Sequence, residues 1–270
     1  MKSNAEMMMT EMKKMARARS LLAFGFLFVL LLVTITSIQM LAMPVTSSFT
    51  RFSASFLNVI LFLLPLFTLA IGALSIASDV ESKWFSLLKT YPIKVRTYLF
   101  GKFTALISSF TLMLLIGYGL VLMIHSFGGG SHFDLLLVLL SFFSVAIFSS
   151  LSIVAGGLAK DRIHSLSLAL GMWAFFLLIY DFIVMSIGTM VSGNLLKLLV
   201  LVLTFSNPAE WLRIGYLLYS GNGAVLGPAY YSFTGFFVSP VGIAVYLIVT
   251  ILWVLLPLVL GTIFLQRKEG

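Results

Sequence analysis

Six long apolar segments constrain what this chain can fold into. A transmembrane helix needs about 20 apolar residues, because a rise of about 1.5 Å per residue has to cross about 30 Å of hydrocarbon. Each segment is long enough, and charged residues, Gly, Pro or clusters of Ser and Thr bound it. The predicted spans are Leu21–Met43, Phe56–Ala77, Phe100–His125, Asp134–Ala159, Leu166–Val191 and Val241–Leu265. The sequence therefore predicts an all-α integral membrane protein with six transmembrane helices.

Composition excludes the soluble classes of protein. Of the 270 residues 60% are hydrophobic and 10% are charged, whereas a soluble domain has about 45–50% apolar and about 25% charged residues. A core of this size cannot enclose such a surplus, so much of it has to face the lipid bilayer. The chain has no cysteine, which excludes disulfides, iron–sulfur clusters and thiolate zinc sites.

The positions of Lys and Arg predict the orientation. Six crossings place both termini on one side, and cytoplasmic loops carry an excess of Lys and Arg. Of the 17 Lys and Arg residues, only Arg51, Lys197 and Arg213 fall on the opposite side. The chain is thus predicted to lie in the cell membrane (plasma or inner) with both termini in the cytoplasm. Its net charge of +8 indicates topology rather than binding of nucleic acid.

The region 192–240 departs from simple up-and-down crossing. Leu195–Phe205 is apolar but has only 11 residues, which is too short to span. Asn207 is a favourable N-cap, Pro208 suits the first helical position, and Glu210 stands where its carboxylate can reach back to the cap. We expect two short outer helices, re-entrant or interfacial, the second running from Pro208 to about Tyr219 before Ser220 and Gly221.

A seventh span over Leu195–Tyr219 is the competing interpretation. It would bury Glu210 and Arg213 and move the basic C-terminus to the outside, so six spans are preferred.

Motifs of catalysis and nucleotide binding are missing. The only Gly-Lys pair, Gly101-Lys102, precedes Phe103 and lacks the rest of a phosphate-binding loop. The sequence holds neither H-E-x-x-H nor G-x-S-x-G, and its three histidines lie at different loops or helix ends. We therefore expect a non-catalytic chain that binds no cofactor directly.

Thioether and imidazole groups suited to Cu(I) occur near the outer ends of the spans. Methionine is also ordinary lipid-facing material, and scattered residues define no coordination geometry, so no metal site is predicted. The residues concerned are Met40, Met43, Met123, His125, Met185 and Met190.

Asp181, after Tyr180, is the only clear case of an ionisable group expected to be buried inside a predicted span. A carboxylate in hydrocarbon is costly, which favours a functional contact with substrate, ion, helix or subunit. The alternative is a carboxylate that is hydrated near the outer interface, or protonated and hydrogen-bonded. A stand-alone membrane enzyme or channel that uses Asp181 is the less favoured function.

The loop at 78–99 has apolar residues at spacings of three and four, which is typical of a short amphipathic helix that ends before Pro92. Such a helix either lies on anionic lipid or presents aromatic anchors to a cytoplasmic partner. The residues selected as the interface are Glu81, Lys83, Trp84, Phe85, Leu87, Leu88 and Tyr91. Residues 1–20 are expected to form an elbow helix on the inner leaflet, with Met8, Met12 and Met15 on one face.

These features resemble ABC-2 type permeases over essentially the whole chain. The resemblance rests on Glu81, the apolar run to Tyr91-Pro92, and the segment Tyr98–Phe103. Within that family, Tyr180-Asp181 and the segment Asn207–Arg213 resemble elements of the NosY-type permeases, which assist copper-site maturation of nitrous oxide reductase.

The resemblance implies a single ABC-2 transmembrane domain over residues 1–270. It implies a half-transporter that pairs with a second permease copy, as a homodimer, and with two copies of a separate ATPase that binds ATP and Mg. The segment Ser82–Tyr91 would be the coupling helix. An outer accessory protein would dock at Asn207, Pro208, Glu210, Trp211 and Arg213. Export of a drug, lipid or polysaccharide remains the alternative task.

Overall fold

The computed structural model describes residues 2–42, 51–88, 94–127, 134–191, 199, 202–226 and 231–267. Within these ranges the chain is helical and contains no strand. The α-helices are α1 (Lys2–Ala16), α2 (Arg19–Ala42), α3 (Arg51–Glu81), α4 (Trp84–Leu88), α5 (Val95–Phe127), α6 (Leu135–Leu158), α7 (Arg162–Ala174), α8 (Tyr180–Gly188), α9 (Pro208–Tyr219), α10 (Tyr231–Val238) and α11 (Pro240–Arg267). A π-helical turn, Phe175–Ile179, joins α7 to α8, and a 3₁₀ turn covers Gly223–Leu226.

The six predicted spans are confirmed as helices long and apolar enough to cross a membrane. They are α2, α3, α5, α6, the continuous α7–α8 segment and α11. The helices run past the apolar segments on one side, since α3 continues to Glu81 and α5 begins at Val95. These extensions place Asp79 and Tyr98 in the packed part of the bundle.

Helix α6 lies at the centre and is buried along most of its length. It packs mainly against α3 on one side and α11 on the other, while α1 and α2 pack on α5. Its buried face includes the serines Ser141, Ser144 and Ser149. Small side chains are favoured here because helices in lipid associate by close packing rather than by a hydrophobic drive.

Glycines bring the backbones of the central helices together. A Cβ at Gly72 of α3 would lie 2.0 Å from the Ser152 Oγ of α6, and one at Gly156 would lie 3.0 Å from the Ala73 carbonyl oxygen. On the other side of α6, a Cβ at Gly261 would lie 2.6 Å from a methyl carbon of Ile153. Any larger residue at these positions would push α3 or α11 away from α6.

The fifth and sixth spans are mostly exposed in the single chain. Ile163 is 81% exposed and Phe182 is 75% exposed. Such apolar surfaces require lipid or another protein against them.

The helices define two ends of the bundle. At the basic end, α1, the α3–α5 connection, the start of α7 and the end of α11 lie together, where Leu265 of α11 packs against Tyr98. The far end holds α9, α10 and the start of α6.

The second outer helix forms as the sequence predicts. Asn207 caps α9 by accepting from the Ala209 N–H at 2.9 Å, Pro208 is in its first turn, and Ser220 is its C-cap, followed by Gly221 at φ +79°. Glu210 takes part in the cap through its backbone N–H, which donates to the Asn207 Oδ1 at 3.5 Å, whereas its carboxylate accepts from the Arg213 Nη1 at 2.6 Å. Of the first predicted outer helix, 202–206 is helical, while 195–198, 200 and 201 lie outside the described residues.

Candidate coupling site

The α3–α5 connection at the basic end carries the residues predicted to form the coupling interface. Lys83 turns the chain with φ +59°, and α4 follows it for five residues. Trp84 is 40% exposed and Leu87 is 50% exposed. Leu88 ends α4 with its side chain outside the described part of the structure, and Tyr91 also lies outside the described residues. The short helix therefore presents an aromatic and an aliphatic side chain outward.

Phe85 faces inward and attaches α4 to the bundle. It is 6% exposed, and its ring centroid lies 5.1 Å from that of Tyr98. The same cluster includes Ile76 of α3 and Leu265 of α11. Phe85 is therefore not available to a second protein in this conformation, in contrast to its selection as a surface anchor. Its burial instead fixes α4 to three spans.

A fully buried lysine lies directly below this connection. The Lys102 Nζ is 2.6 Å from the Glu11 Oε2 and 2.7 Å from the Asp79 Oδ2, and it donates to the Ser75 Oγ at 2.8 Å. Neither carboxylate is more than 3% exposed. A buried ammonium is tolerated only with such partners, because an unpaired charge would lose its hydration without compensation.

Asp79 links the lysine to two further donors. The Tyr98 hydroxyl donates to the Asp79 Oδ2 at 2.9 Å, and the half-exposed Lys14 ammonium donates to the Asp79 Oδ1. We call Glu11, Lys14, Asp79, Tyr98 and Lys102 the ion cluster. Its members come from α1, α3 and α5, so it joins the N-terminal helix to both helices that flank α4.

The expectation that Asp181 is the only clear buried ionisable group within a span is wrong. Asp79 and Lys102 both lie within helices long enough to cross the membrane, and both are buried. The sequence does contain a signal, since Ser75 and Asp79, like Tyr98 and Lys102, are four residues apart and therefore share a helix face. The pattern can be recognised only if α3 and α5 extend past their apolar segments, because Asp79 and Tyr98 lie just outside the predicted spans.

A second, exposed ion pair joins α3 to the fifth span. The Glu81 Oε2 lies 3.3 Å from the Arg162 Nε and accepts from the Arg162 backbone N–H at 3.2 Å. Asp161 caps α7 by accepting from the His164 N–H at 2.7 Å. The start of the fifth span is thereby connected to the base of α4.

The N-terminal helix lies against protein as well as carrying basic residues. Met15 is buried and Met12 is partly buried against the hydrophobic core, while Met8 is exposed. Only part of the predicted methionine face is therefore free to contact lipid.

The π-helical turn of the fifth span contacts α9. The Asn207 Nδ2 donates to the Phe176 carbonyl oxygen at 2.7 Å, within the turn. Tyr180 is buried directly after the turn, and its hydroxyl donates to the Leu203 carbonyl oxygen. Because Phe176 lies midway along a helix long enough to cross a membrane, α9 begins deep in the bundle. π-Helical turns occur frequently at functional sites.

Asp181 lies on the surface of the single chain beside this contact. It is exposed, and its carboxylate interacts electrostatically with Glu210. Glu210 forms an ion pair with Arg213 within α9, so each charge compensates the other where α9 packs on the bundle. Helix α9 is a separate short helix and does not form part of a seventh span.

Trp211 is buried at the centre of the α9 contact with α11. It is 1% exposed, its ring stacks on Tyr246 with centroids 4.7 Å apart, and its Nε1 donates to the Thr250 Oγ1 at 3.1 Å. Asn207 and Pro208 are buried too. Of the five residues selected for an outer partner, only Glu210 and Arg213 retain exposed surface.

The methionines considered as copper ligands are exposed where their side chains are described. Met123, Met185 and Met190 are all exposed. The side chains of Met40 and His125, and all of Met43, lie outside the described residues. In the part of the chain that the structure describes, no group of three or more His, Asp and Glu side chains could hold a metal ion.

Comparison with known proteins identifies a family and relatives for this chain. Residues 7–269 match the sequence profile of the family described as "ABC-2 family transporter protein". The "Probable ABC transporter permease protein NosY" of Stutzerimonas stutzeri is 28% identical over 221 residues, covering 78% of this chain and 80% of that protein. The protein of the same name from Pseudomonas aeruginosa is 28% identical over 220 residues, covering 73% of this chain and 75% of that protein.

A profile match over nearly the whole chain, six membrane-spanning helices and a short helix between the second and third of them lead to one conclusion. This protein belongs to the ABC-2 transporter family.

Proposed function

We propose that this chain is the non-catalytic membrane subunit of an ATP-driven transporter, and that ATP and Mg bind to a separate ATPase. Its family implies an ABC ATPase as partner. The observation that carries the proposal is α4, a short helix with two apolar side chains directed outward and one anchored inward. Exposed apolar residues beside charged ones are typical of a docking surface for another protein.

Because α4 is rigidly attached to the bundle, a movement of the ATPase bound to it would shift the transmembrane helices. A movement imposed on Trp84 and Leu87 is transmitted through Phe85 to Tyr98, and the ion cluster fixes α1, α3 and α5 together at that level. Glu81 and Arg162 extend the connection to the fifth span. Packed elements transmit rigid-body shifts because their contacts do not deform continuously.

The same chain of contacts leads to the far end. The fifth span holds α9 through Phe176 and Asn207, and α9 is attached to α6 through the Tyr216 hydroxyl, which donates to the Asp134 Oδ2. A shift of the fifth span therefore moves α9. We assign Glu210 and Arg213 as the part of α9 accessible to an outer accessory protein.

Orientation and assembly complete the proposal. The basic end faces the cytoplasm of a plasma or inner membrane, because Lys and Arg are retained on that side. Two copies of the chain associate as a homodimer with two ATPase subunits. The exposed fifth span, with Asp181 among apolar side chains, is the surface that we assign to the second copy.

The finer task proposed is a role in copper-site maturation of nitrous oxide reductase. It is supported by the NosY name of both relatives and by two hydrogen bonds between the regions that resemble NosY-type permeases. Tyr180 donates to the Leu203 carbonyl oxygen, and Asn207 donates to the Phe176 carbonyl oxygen. The relatives are only 28% identical, so this task requires its own test.

Docking at α4 is tested by the double variant Trp84→Ala/Leu87→Ala. We expect retention of the co-purifying ATPase to fall by about tenfold or more, because a few apolar anchors carry most of the binding energy of an interface. Retention and ATP turnover are measured in nanodiscs with the full chain. The control is Phe26→Ala/Leu115→Ala, which removes two exposed apolar side chains from the lipid-facing parts of α2 and α5. Equal retention by the double variant and the control would disprove docking at α4.

The maturation task is tested in a host that lacks its own NosY-type permease. We expect the wild-type chain, expressed with its ATPase, to restore the copper content of nitrous oxide reductase, and the Trp84→Ala/Leu87→Ala variant to fail. If the wild-type chain does not raise the copper content above that of the host without a permease, and a drug, lipid or polysaccharide stimulates ATP turnover, the exporter alternative is favoured.

A further inference from the structure

A cavity of about 320 Å³ opens at the basic end between α1, α2, α3 and α7. Its lining changes character along α3. Ile71 and Leu74 form an apolar wall, and Ser75 and Ser78 follow one turn closer to the end of the helix. Residues at these spacings share one face of a helix. The cavity therefore passes from hydrocarbon to hydroxyl groups within about 10 Å, at 1.5 Å per residue.

Two cations stand at the polar end of this cavity. Lys14 of α1 and Arg162 of α7 both line it, and their side chains are 51% and 52% exposed. Within the described residues, Lys14 pairs with Asp79 and Arg162 pairs with Glu81. An ammonium has three donors and a guanidinium five, so both retain N–H groups for a further acceptor.

The surroundings are positively charged beyond these pairs. Residues 11–20, 75–81, 102 and 160–164 contain seven Lys and Arg against four Asp and Glu. Arg17 and Arg19 are exposed on either side of Ala18, which lines the cavity. The excess of cations favours an anionic ligand.

We propose that this cavity binds the phosphate group of an anionic phospholipid. The apolar wall contacts the upper acyl chain, Ser20 and Ser78 donate to the glycerol and phosphate oxygens, and Lys14 and Arg162 neutralise the phosphate. Basic pockets between transmembrane helices on the cytoplasmic side bind anionic headgroups by this combination. The assignment to the inner leaflet depends on the orientation proposed above, whereas binding itself does not.

Such a lipid would bridge elements that the ion cluster and α4 hold in place. It would contact the α1–α2 junction, α3 and the start of the fifth span at once. The site is separate from the exposed surface of Trp84 and Leu87, so its occupancy is measured without the ATPase.

Native mass spectrometry of the full chain, purified from nanodiscs that contain phosphatidylglycerol and phosphatidylcholine, tests the proposal. We expect preferential retention of phosphatidylglycerol by the wild type, and a loss of about tenfold in the Arg162→Gln variant. Ser78→Glu introduces a repelling carboxylate without removing a cation and should lose the lipid as well. Circular dichroism and the elution volume establish that both variants are folded.

Arg213→Gln is the matched control, because Arg213 is also partly exposed and paired with a glutamate, but lies on α9 away from the cavity. Its lipid retention should equal that of the wild type. Equal retention of the two lipids, or equal loss in Arg213→Gln and Arg162→Gln, would overturn the proposal. Displacement of the lipid by millimolar inorganic phosphate would assign the cavity to the free anion and would also overturn it.

Discussion

Lys102 compensates the charges of two buried carboxylates. It has no exposed surface and stands between Glu11 and Asp79 in a part of the bundle formed by three helices. Because both carboxylates depend on the same ammonium, the loss of Lys102 leaves two buried charges with reduced compensation.

Replacement of Lys102 by Met should therefore lower the free energy of unfolding by about 3–5 kcal/mol. Chemical denaturation in detergent micelles, followed by tryptophan fluorescence, measures the change. The control Lys94→Met removes an exposed lysine at the same end and should change stability by no more than about 0.5 kcal/mol. The double variant Lys102→Met/Asp79→Leu should lose less than the sum of the single changes, since it removes Asp79 together with Lys102 and leaves only Glu11 without the ammonium. Strict additivity would show that the two residues act independently.

At the scale of the helices, Gly156 determines how closely α6 approaches α3. A Cβ at this position would lie 2.8 Å from the Ile76 Cβ and 3.0 Å from the Ala73 carbonyl oxygen, and neither atom belongs to the end of a flexible side chain. The contact has no room for a methyl group.

The Gly156→Ala variant should lose about 1–3 kcal/mol of unfolding free energy through overpacking. Gly119→Ala is the matched control, because a Cβ at Gly119 of α5 meets no atom within 4 Å. There the gain in helix propensity should stabilise the protein by about 0.5–1 kcal/mol. Equal effects of the two substitutions in the same denaturation experiment would contradict close packing of α3 on α6.

The elements follow from the sequence where one local rule governs them. Apolar length alone predicts the six spans, and the Asn207-Pro208 start of α9 follows from capping chemistry. The sequence assigns Phe85 and Trp211 to protein-binding surfaces, but both side chains are buried. A helical pattern shows which residues share a face of the helix, but it does not show which neighbouring helix covers that face. The ion cluster was missed for the same reason, since Glu11, Asp79 and Lys102 are brought together only by tertiary packing.

At the scale of the whole molecule, the distribution of charge predicts one orientation. The chain has no cysteine, so single cysteines can be introduced into an otherwise unreactive background. Ser82→Cys at the basic end should react with a membrane-impermeant maleimide only after permeabilisation of the cells. Val225→Cys at the far end, where Val225 is 60% exposed, should react in intact cells. The reverse pattern of labelling would place the termini outside and contradict the proposed docking of an ATPase at α4.

The ion cluster also sets an order of events during synthesis. Glu11 and Lys14 emerge from the ribosome long before Asp79 and Lys102, and the 90 residues between Glu11 and Lys102 take about 5–20 s to translate. Throughout that interval α1 lacks Lys102, the buried cation that pairs with its Glu11. Helix α1 can therefore complete its native contacts only after the third span has begun to enter the bilayer. Residues near the amino terminus thus complete these contacts only after the helices on both sides of α4 have been synthesised.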